Sequence, residues 1–128
     1  FGVFDGFHKG HQAFLKSAKK EGNYLIVVVP EDLIVFKLKK RRPQNNIKER
    51  IKAVKESRIA KLVIRGDKQL GSWEVVKKHK PHIIALGYDQ YYLKKDLEKS
   101  LRQTNLKITI KKMTPFKPNK YHSSKIYA

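Results

Sequence analysis

Cysteine is absent from the sequence, and long apolar runs are absent as well. Without cysteine the chain has neither a disulfide framework nor a thiolate metal site, which fits the cytoplasmic location that we expect. The longest apolar run, residues 25–30, has the length of a buried strand, whereas a helix that spans a bilayer needs roughly 20 apolar residues. We therefore expect no membrane insertion.

Acidic residues are scarce, because 11 Asp and Glu stand against 30 Lys and Arg and give a formal net charge of +19. A surplus of this size attracts polyanions such as nucleic acid, anionic lipid or nucleoside triphosphates. Charge alone does not choose among these partners. Non-specific polyanion binding therefore stays open beside a specific ligand.

The chain is long enough for one core and too short for two ordinary domains, with 128 residues of which 40% are hydrophobic and 32% charged. We predict a single domain over residues 1–128. Residues 1–4 resemble the end of a buried strand, so we expect the domain to be trimmed there and also within its C-terminal helix.

Short apolar runs separated by amphipathic segments predict the fold. The runs are mostly continuous rather than alternating, which is typical of parallel strands covered on both faces. Five runs have strand length, at residues 1–4, 24–29, 61–64, 82–86 and 106–110. Helical patterns separate them, at residues 12–21, 47–58, 72–80 and 91–103, with Asn46 and Glu49 offering a helix cap. The sequence predicts an α/β fold, a Rossmann-like doubly wound five-stranded parallel sheet with helices on both faces.

The strongest functional signal lies between the first strand and the first helix. His8 and His11 are three residues apart and should project to the same side, while Gly10 leaves room for a phosphate near the backbone. Helix-start N–H groups and the positive end of the helix dipole complete an anion cradle. In attack on an α-phosphorus, imidazole donors there would stabilise the charge on the transferring and leaving oxygens. The alternative is a pair of ordinary surface or metal-binding histidines.

A family resemblance rests on this motif. Residues 2–11 read Gly-Val-Phe-Asp-Gly-Phe-His-Lys-Gly-His and, with Gln12, resemble the opening of the cytidylyltransferase-like superfamily. The Asp-Gly pair and Gln12 are similar to bacterial FAD synthetases, whereas residues 35–43, 80–90 and 121–124 resemble archaeal-type FAD synthases. Glycerol-3-phosphate cytidylyltransferases share the scaffold but typically have Gly-Asp-Asp-Trp where residues 87–90 read Gly-Tyr-Asp-Gln. That difference favours the FMN-linked branch.

The resemblance implies roles for particular residues. The catalytic set that it implies is His8, His11, Lys39 and Ser124. The nucleotide-binding set that it implies is Gly2, Val3, Phe4, Asp5, Lys9, Gly10, Arg50, Gly87, Tyr88, Asp89, Gln90, Phe116, Ser123 and Lys125. No residue is assigned as a direct metal ligand, because Mg²⁺ is expected to bind through the triphosphate.

Several of these assignments compete with plainer interpretations. Asp89 should follow the fourth strand at the carboxyl edge of the sheet, placed to accept a hydrogen bond from ribose or base, although Gly and Asp also form simple turns. Ser123 and Ser124 match the superfamily signature that holds the β- and γ-phosphates, and each is also an ordinary helix N-cap. Lys125 is placed to neutralise the leaving pyrophosphate, one cation among many.

The basic stretch at residues 37–43 is predicted as an irregular loop, as is the proline-bearing stretch at residues 114–120. The basic stretch could be a solvated charge run, a nucleic-acid patch or a mobile flap over the triphosphate. The resemblance implies a functional lysine here, best matched by Lys39, with Lys37 next. Arg50 matches a superfamily arginine that helps bind phosphate, and its alternative is an ordinary surface residue.

Two departures from the family pattern stand out. Val3 replaces a Thr often found in this motif, and the C-terminal cysteines of the archaeal enzymes are absent. We still expect a nucleotidyltransferase that joins ATP and FMN into FAD and releases pyrophosphate. The first alternative is a cytidylyltransferase for glycerol-3-phosphate or a similar alcohol phosphate. A catalytically inactive nucleic-acid-binding protein on the same scaffold is the second, and a homodimeric assembly is also open.

Overall fold

The computed structural model of the protein describes residues 1–87 and 90–113. In chain order its elements are α1 (Lys9–Lys19), β1 (Ile26–Val29), α2 (Asp32–Lys39), α3 (Ile47–Glu56), β2 (Leu62–Arg65), α4 (Glu74–His79), β3 (Ile83–Leu86), α5 (Tyr91–Leu101) and β4 (Thr109–Lys112). None of the helices in these residues combines the length and apolar character that crossing a membrane requires.

The strands form two parallel pairs. β1 pairs with β2, with Ile26 opposite Leu62, and β3 pairs with β4, with Ile83 opposite Thr109. Parallel neighbours need a crossover connection, which α2 and α3 supply for the first pair and α5 supplies for the second. This arrangement confirms the predicted α/β class with parallel strands and intervening helices.

Residues 1–4 form no regular strand, so the described part of the chain has four strands where we expected five. The segment still bonds to both pairs. The Gly2 N–H donates to the Val28 carbonyl in β1, and the Gln90 side-chain amide, just after β3, donates to the Phe1 carbonyl, each at 3.3 Å. The segment ends at Phe4, whose φ of 55° takes the backbone out of the extended region.

Among the residues that the structure describes, the apolar core consists of two clusters. The first packs β1 and β2 against α1 and α3, through Phe4, Leu15, Val27, Val29, Ile47, Val54 and Val63. The second packs β3 against α4 and α5, through Trp73, Val76, Ile84, Leu86 and Leu97. Phe1 packs against the second cluster whereas Phe4 belongs to the first. Both clusters therefore hold the segment that leads into the predicted motif.

The predicted cap of α3 is confirmed. The Asn46 side chain accepts a hydrogen bond from the Glu49 N–H at 2.9 Å, and the Glu49 carboxylate accepts one from the Asn46 N–H at 3.0 Å. Each bond satisfies an N–H that the helix itself leaves without a partner. The start of α3 is therefore well defined, which matters because the preceding residues reach the candidate site.

Helix α2 corrects the prediction of an irregular loop from residue 37 onward. Residues 37–39 are helical, and the irregular stretch begins at Lys40, whose left-handed conformation (φ 63°) ends the helix. The helix extends this far because Ile34 and Val35 are buried and anchor one of its faces in the core. The run of charges that suggested a loop belongs to the last turn of α2 and the residues after it.

Candidate active site

The chain turns sharply in the histidine loop, which we define as residues 2–11. Phe4 and Gly6 have φ values of 55° and 59°, and such left-handed backbone is unusual for a residue with an aromatic side chain. The Phe4 ring is buried and folds beneath Gly2, where a Cβ atom would lie 2.5 Å from the ring. Gly2 therefore makes room for the Phe4 ring, a structural role separate from its predicted contact with nucleotide.

The two histidines cap α1 with their own rings. His8 Nδ1 accepts a hydrogen bond from the Gly10 N–H at 3.0 Å, and His11 Nδ1 accepts one from the His8 N–H at 3.3 Å. A ring nitrogen that accepts a hydrogen bond carries a lone pair, so the proton of each neutral ring lies on Nε2. Each ring therefore presents Nε2–H as a donor, while the Gly10 N–H is already used within the cap.

The imidazole rings stack on each other, with centroids 3.8 Å apart and planes inclined by 22°. Aromatic rings enclose His11 on further sides. Phe7 stacks on it at 5.7 Å and Phe4 meets it edge-on at 5.4 Å. This packing holds both rings side by side, as the three-residue spacing predicted, and it removes water from around His11.

Burial keeps both histidines neutral. It lowers the pKa of His8 below the usual 6.5, and it lowers the pKa of His11 to about 3, with smaller contributions from the charges of His8 and Lys39. Desolvation disfavours the charged imidazolium, and a nearby cation disfavours it further. At neutral pH the site therefore offers two uncharged Nε2–H donors held in one orientation.

Lys39, at the end of α2, contributes to the lowered pKa of His11, which places its ammonium in the electrostatic neighbourhood of the histidine pair. Its side chain is half-buried, whereas that of Lys37 is exposed. Of the two lysines considered from sequence, Lys39 is the less exposed one and the one whose charge contributes to the lowered pKa of His11. Lys9, also predicted to bind nucleotide, is exposed on the first turn of α1.

A clamp joins the histidine loop to residues 40–46, which we call the strap. The two carboxylate oxygens of Asp5 accept hydrogen bonds from the Gln44 N–H at 2.7 Å and the Asn45 N–H at 2.8 Å. In return, Asn45 Oδ1 accepts a bond from the Gly6 N–H at 3.2 Å. Asp5 is 5% exposed, so its visible function is to hold the strap against the loop.

Arg50 lies behind this clamp rather than on the surface. It is 1% exposed, and its guanidinium donates to the carbonyls of Asn45, Val3 and Pro30 at 2.9–3.1 Å and to the Asp32 carboxylate at 2.6 Å. The alternative of an ordinary surface residue is therefore wrong. The contacts seen for Arg50 connect four segments around the site, and its predicted contact with phosphate stays a prediction.

The Gln90 side chain is likewise engaged within the protein. Its Oε1 accepts a bond from the Gly87 N–H at 2.6 Å, and its Nε2 donates to the Phe1 carbonyl. It thus ties the turn after β3 to Phe1, the residue that precedes the histidine loop. The other predicted site residues lie outside the described ones, namely Tyr88, Asp89, Phe116, Ser123, Ser124 and Lys125.

Comparison with known proteins identifies the family of this chain. The family model described as Cytidylyltransferase-like matches residues 1–128. The chain belongs to the cytidylyltransferase-like family. This cytidylyltransferase-like chain is 41% identical to the FAD synthase of Thermococcus sibiricus over 82% of its own length and 71% of that protein's. It is 39% identical to the FAD synthase of Pyrococcus abyssi over 98% and 85% of the two lengths.

A solved structure agrees with the fold. The lipopolysaccharide core biosynthesis protein of Thermoplasma volcanium superposes with a TM-score of 0.81 at 30% identity. The superposition covers 90% of this chain and 93% of the Thermoplasma volcanium chain. The cytidylyltransferase-like chain is therefore a nucleotidyltransferase with a Rossmann-like fold, as the resemblance implied. The alternative of a catalytically inactive nucleic-acid-binding protein is not favoured.

Nucleotidyltransferases of this kind generally use a divalent metal ion. Within residues 1–87 and 90–113, no group of three or more His, Cys, Asp or Glu side chains could hold one. Both carboxylate oxygens of Asp5, the acidic residue of the histidine loop, accept hydrogen bonds in the clamp.

Sequence reasoning did not identify Gln44 and Asn45 as parts of the site. They lie 39 and 40 residues from Asp5 along the chain, and no periodic pattern connects them. One local signal was available, because Asn45 directly precedes the capping residue Asn46 and lies two residues after Pro43, a context that suggests an ordered turn. This pattern predicts an ordered turn, but it does not predict that the turn bonds to the histidine loop.

Proposed function

We propose that the protein is an FMN adenylyltransferase, which joins ATP and FMN into FAD and releases pyrophosphate. The observation that carries this proposal is the similarity to archaeal FAD synthases over most of the chain, at 39% identity across 98% of it for the Pyrococcus abyssi protein. The paired Nε2–H donors of His8 and His11 supply the chemistry that such a transfer needs. The cytidylyltransferase alternative has no comparable support.

The reaction forms a bond between an oxygen of the FMN phosphate and the α-phosphorus of ATP, and it breaks the bond from that phosphorus to the bridging oxygen of pyrophosphate. Negative charge rises on the α-phosphate oxygens and on the leaving group. His8 and His11 donate Nε2–H to these oxygens, and because the rings are locked by the helix cap they need no reorganisation. Because burial lowers the pKa of both rings, the imidazoles are neutral donors at physiological pH.

Charge neutralisation completes the site. We assign Lys39, at the end of α2, to neutralise the triphosphate, because its charge already contributes to the lowered pKa of His11, and Mg²⁺ bound to the phosphates would shield the rest of their charge. From the resemblance we assign Ser123, Ser124 and Lys125 to the β- and γ-phosphates, and Asp89 to the ribose or base. The residues of the chain bind and orient both substrates, and no covalent intermediate on the protein is required.

A substrate matrix tests the proposal. The protein would be incubated with ATP or CTP against FMN or glycerol-3-phosphate, with Mg²⁺ present, and pyrophosphate release and product formation would be followed together. We expect pyrophosphate and FAD in equal amounts from ATP and FMN alone. Release of pyrophosphate only with CTP and glycerol-3-phosphate would replace the proposal by its alternative.

Three further expectations belong with this proposal. We place the enzyme in the cytoplasm, where ATP and FMN are available to it. We expect non-specific polyanion binding because of the net charge of +19, separate from the nucleotide site. A homodimer remains an expectation that sedimentation would test, and the chemistry described above uses residues of one chain.

A further inference from the structure

A hydrogen bond joins α4 to α5 through the single tryptophan of the sequence. The Trp73 indole N–H donates to Asp96 Oδ2 at 2.7 Å, a length typical of a bond to a charged acceptor. Trp73 is 8% exposed and belongs to the second core cluster, whereas Asp96 is exposed on α5. A buried indole N–H needs an acceptor, and Asp96 supplies it from the edge of the core.

The backbone of Trp73 is unusual. This residue precedes the first residue of α4 and has a φ of 53° and a ψ of 31°, a left-handed conformation that persists only where surrounding contacts hold it. One such contact is the bond to Asp96. Another is the carboxylate of Asp67, which accepts hydrogen bonds from the N–H groups of Glu74 and Val75 at 2.7 Å and 3.0 Å. The indole is therefore fixed from its backbone and from its N–H.

The fixed indole of Trp73 connects to the turn after β3. The Phe1 ring meets it edge-on, with centroids 5.5 Å apart. The Phe1 carbonyl accepts a hydrogen bond from Gln90, and the Gln90 side chain in turn accepts one from the Gly87 N–H. Gln90 directly precedes α5, the helix that carries Asp96. The contacts therefore form a closed network, which leaves α5 at Asp96 and returns through Phe1 to Gln90.

We propose that Asp96 is a positioning residue for nucleoside recognition, an inference that rests on the proposed nucleotidyl transfer. The turn at residues 87–90 carries the predicted contact with ribose or base, and α5 begins directly after it. By bonding to Trp73, Asp96 fixes α5 against α4 and so holds both ends of this turn. It acts through Trp73 rather than by contact with substrate.

The phosphate part of the site has separate support. The histidine loop is held by the clamp between Asp5 and the N–H groups of Gln44 and Asn45, and this clamp does not include α4 or α5. Loss of the bond between Trp73 and Asp96 should therefore affect the nucleoside more than the phosphates. This selectivity distinguishes a positioning role from a general contribution to stability.

The test compares Asp96→Ala with Glu98→Ala, a matched control. Glu98 is also an exposed acid of α5, so both variants change the net charge equally. Asp96→Asn keeps an oxygen acceptor for the indole, and Trp73→Phe keeps a ring but removes the N–H. Dissociation constants for ATP and inorganic triphosphate would be measured by calorimetry. The fluorescence emission of Trp73 would report whether the bond to residue 96 is lost.

We expect Asp96→Ala to weaken ATP binding about fivefold, as for the loss of one hydrogen bond, and to change the affinity for inorganic triphosphate less than about twofold. Its Trp73 emission should shift. Asp96→Asn should restore ATP binding to within about twofold of the parent, and Glu98→Ala should match the parent in affinity and emission. Trp73→Phe should resemble Asp96→Ala, and combining the two changes should weaken ATP binding no further.

The inference is overturned if Asp96→Ala binds ATP as the Glu98→Ala control does, because the bond would then be structural only, whatever the melting temperature. Equal losses for ATP and inorganic triphosphate would also refute it, since they indicate a general disturbance of the site. Asp96→Asn that binds ATP as weakly as Asp96→Ala would refute it too. Should Asp96→Ala fail to fold, parental ATP affinity in Trp73→Phe would decide against it.

Binding is measured without turnover, so this inference and the proposed function can fail separately. Selective loss of ATP affinity in Asp96→Ala, in a protein that makes no FAD, would refute the proposed function and keep the inference. FAD formation by a parent whose Asp96→Ala variant binds ATP normally would do the reverse. If the parent prefers CTP, the same comparison with CTP decides the inference. A parent that binds nucleoside triphosphates no more tightly than inorganic triphosphate would overturn it.

Discussion

At the scale of single residues, the histidine pair shows what a motif predicts and what it leaves open. The spacing of His8 and His11 predicted two rings on one side of a helix start, and the rings are stacked at 3.8 Å. The sequence did not indicate that the rings would cap α1, so the helix begins at Lys9 rather than at residue 12. The capping bonds also determine which nitrogen of each ring carries the proton, and the spacing of the motif cannot predict this.

Replacing either histidine by Ala should lower the turnover number for FAD formation by at least about a hundredfold, since each change removes a preorganised donor to the transition state. His82→Ala is the matched control, because that side chain is exposed outside the site. Steady-state kinetics would be compared with circular dichroism spectra of the same samples. Parental turnover in both histidine variants would remove the basis for this active site.

The lowered pKa of His11 predicts how stability depends on pH. Folded His11 has a pKa of about 3, whereas an unfolded histidine has 6.5. Between these values the unfolded chain binds a proton that the folded chain does not. The contribution of His11 to stability is therefore fully present above pH 6.5 and is lost as the pH falls towards 3, by at most about 1.4 kcal/mol per pH unit for one proton.

Urea unfolding of the parent and of His11→Asn at pH 7, 6 and 5 would measure this dependence. We expect the free energy of unfolding to fall less steeply in the variant, because Asn does not titrate. Other groups contribute equally to both proteins and cancel in the difference. Parallel lines over this range would mean that His11 is not buried as described.

At the scale of elements, the sequence predicted what depends on local periodicity. The apolar positions of α1, α3 and α5 recur at helical spacing, and Leu15, Val54 and Leu97 are buried as expected. The predicted boundaries shifted where a local pattern competed with tertiary packing, as at α2, where buried Ile34 and Val35 carry the helix into a run of charges. The clamp joins residues about forty positions apart, and only the folded chain brings them together.

Asp5→Asn should weaken the clamp, because one carboxylate oxygen becomes an NH₂ group facing a backbone N–H. We expect a loss of about 1–3 kcal/mol in the free energy of unfolding, as for a buried bond to a charged group. The turnover number should fall as well, since the strap follows Lys39 directly and a weakened clamp would let the end of α2 shift relative to the histidine loop. Denaturant unfolding and steady-state kinetics of the same preparation measure both effects.

Gln44→Ala is the control for the clamp. The Gln44 side chain is exposed and only its backbone N–H bonds to Asp5, so this variant should keep both stability and turnover. Asn45→Ala, which removes the acceptor of the Gly6 N–H, should resemble Asp5→Asn. Equal stability in Asp5→Asn and Gln44→Ala would show that the carboxylate bonds contribute little.

At the scale of the whole molecule, the net charge of +19 attracts anions of every kind, and these compete with the substrates for the protein. Part of that charge lines an open groove of about 460 Å³ between α3 and β2, formed by Lys48, Ile51, Lys52, Lys55, Val63 and Arg65. Two of its four cations pair with Glu56 and Glu31, at 3.9 Å and 3.3 Å. The composition left non-specific polyanion binding open, but composition alone does not show whether anions bind on such a surface or at the nucleotide site.

Salt and ligand shape should separate these two kinds of binding. Polyanion binding through surface lysines depends on counterion release, so its affinity should fall steeply with added salt and should weaken in a Lys48→Ala, Lys55→Ala double variant. A nucleotide site also contacts ribose and base, so ATP should raise the melting temperature more than an equal concentration of inorganic triphosphate does. At a hundred times the dissociation constant, such a ligand stabilises the fold by about 2.7 kcal/mol.

We expect the double variant to keep the full ATP shift while losing affinity for a single-stranded RNA homopolymer. Equal shifts from ATP and triphosphate, reduced together in the double variant, would mean that the protein senses phosphate charge alone and that the histidine loop does not recognise a nucleotide.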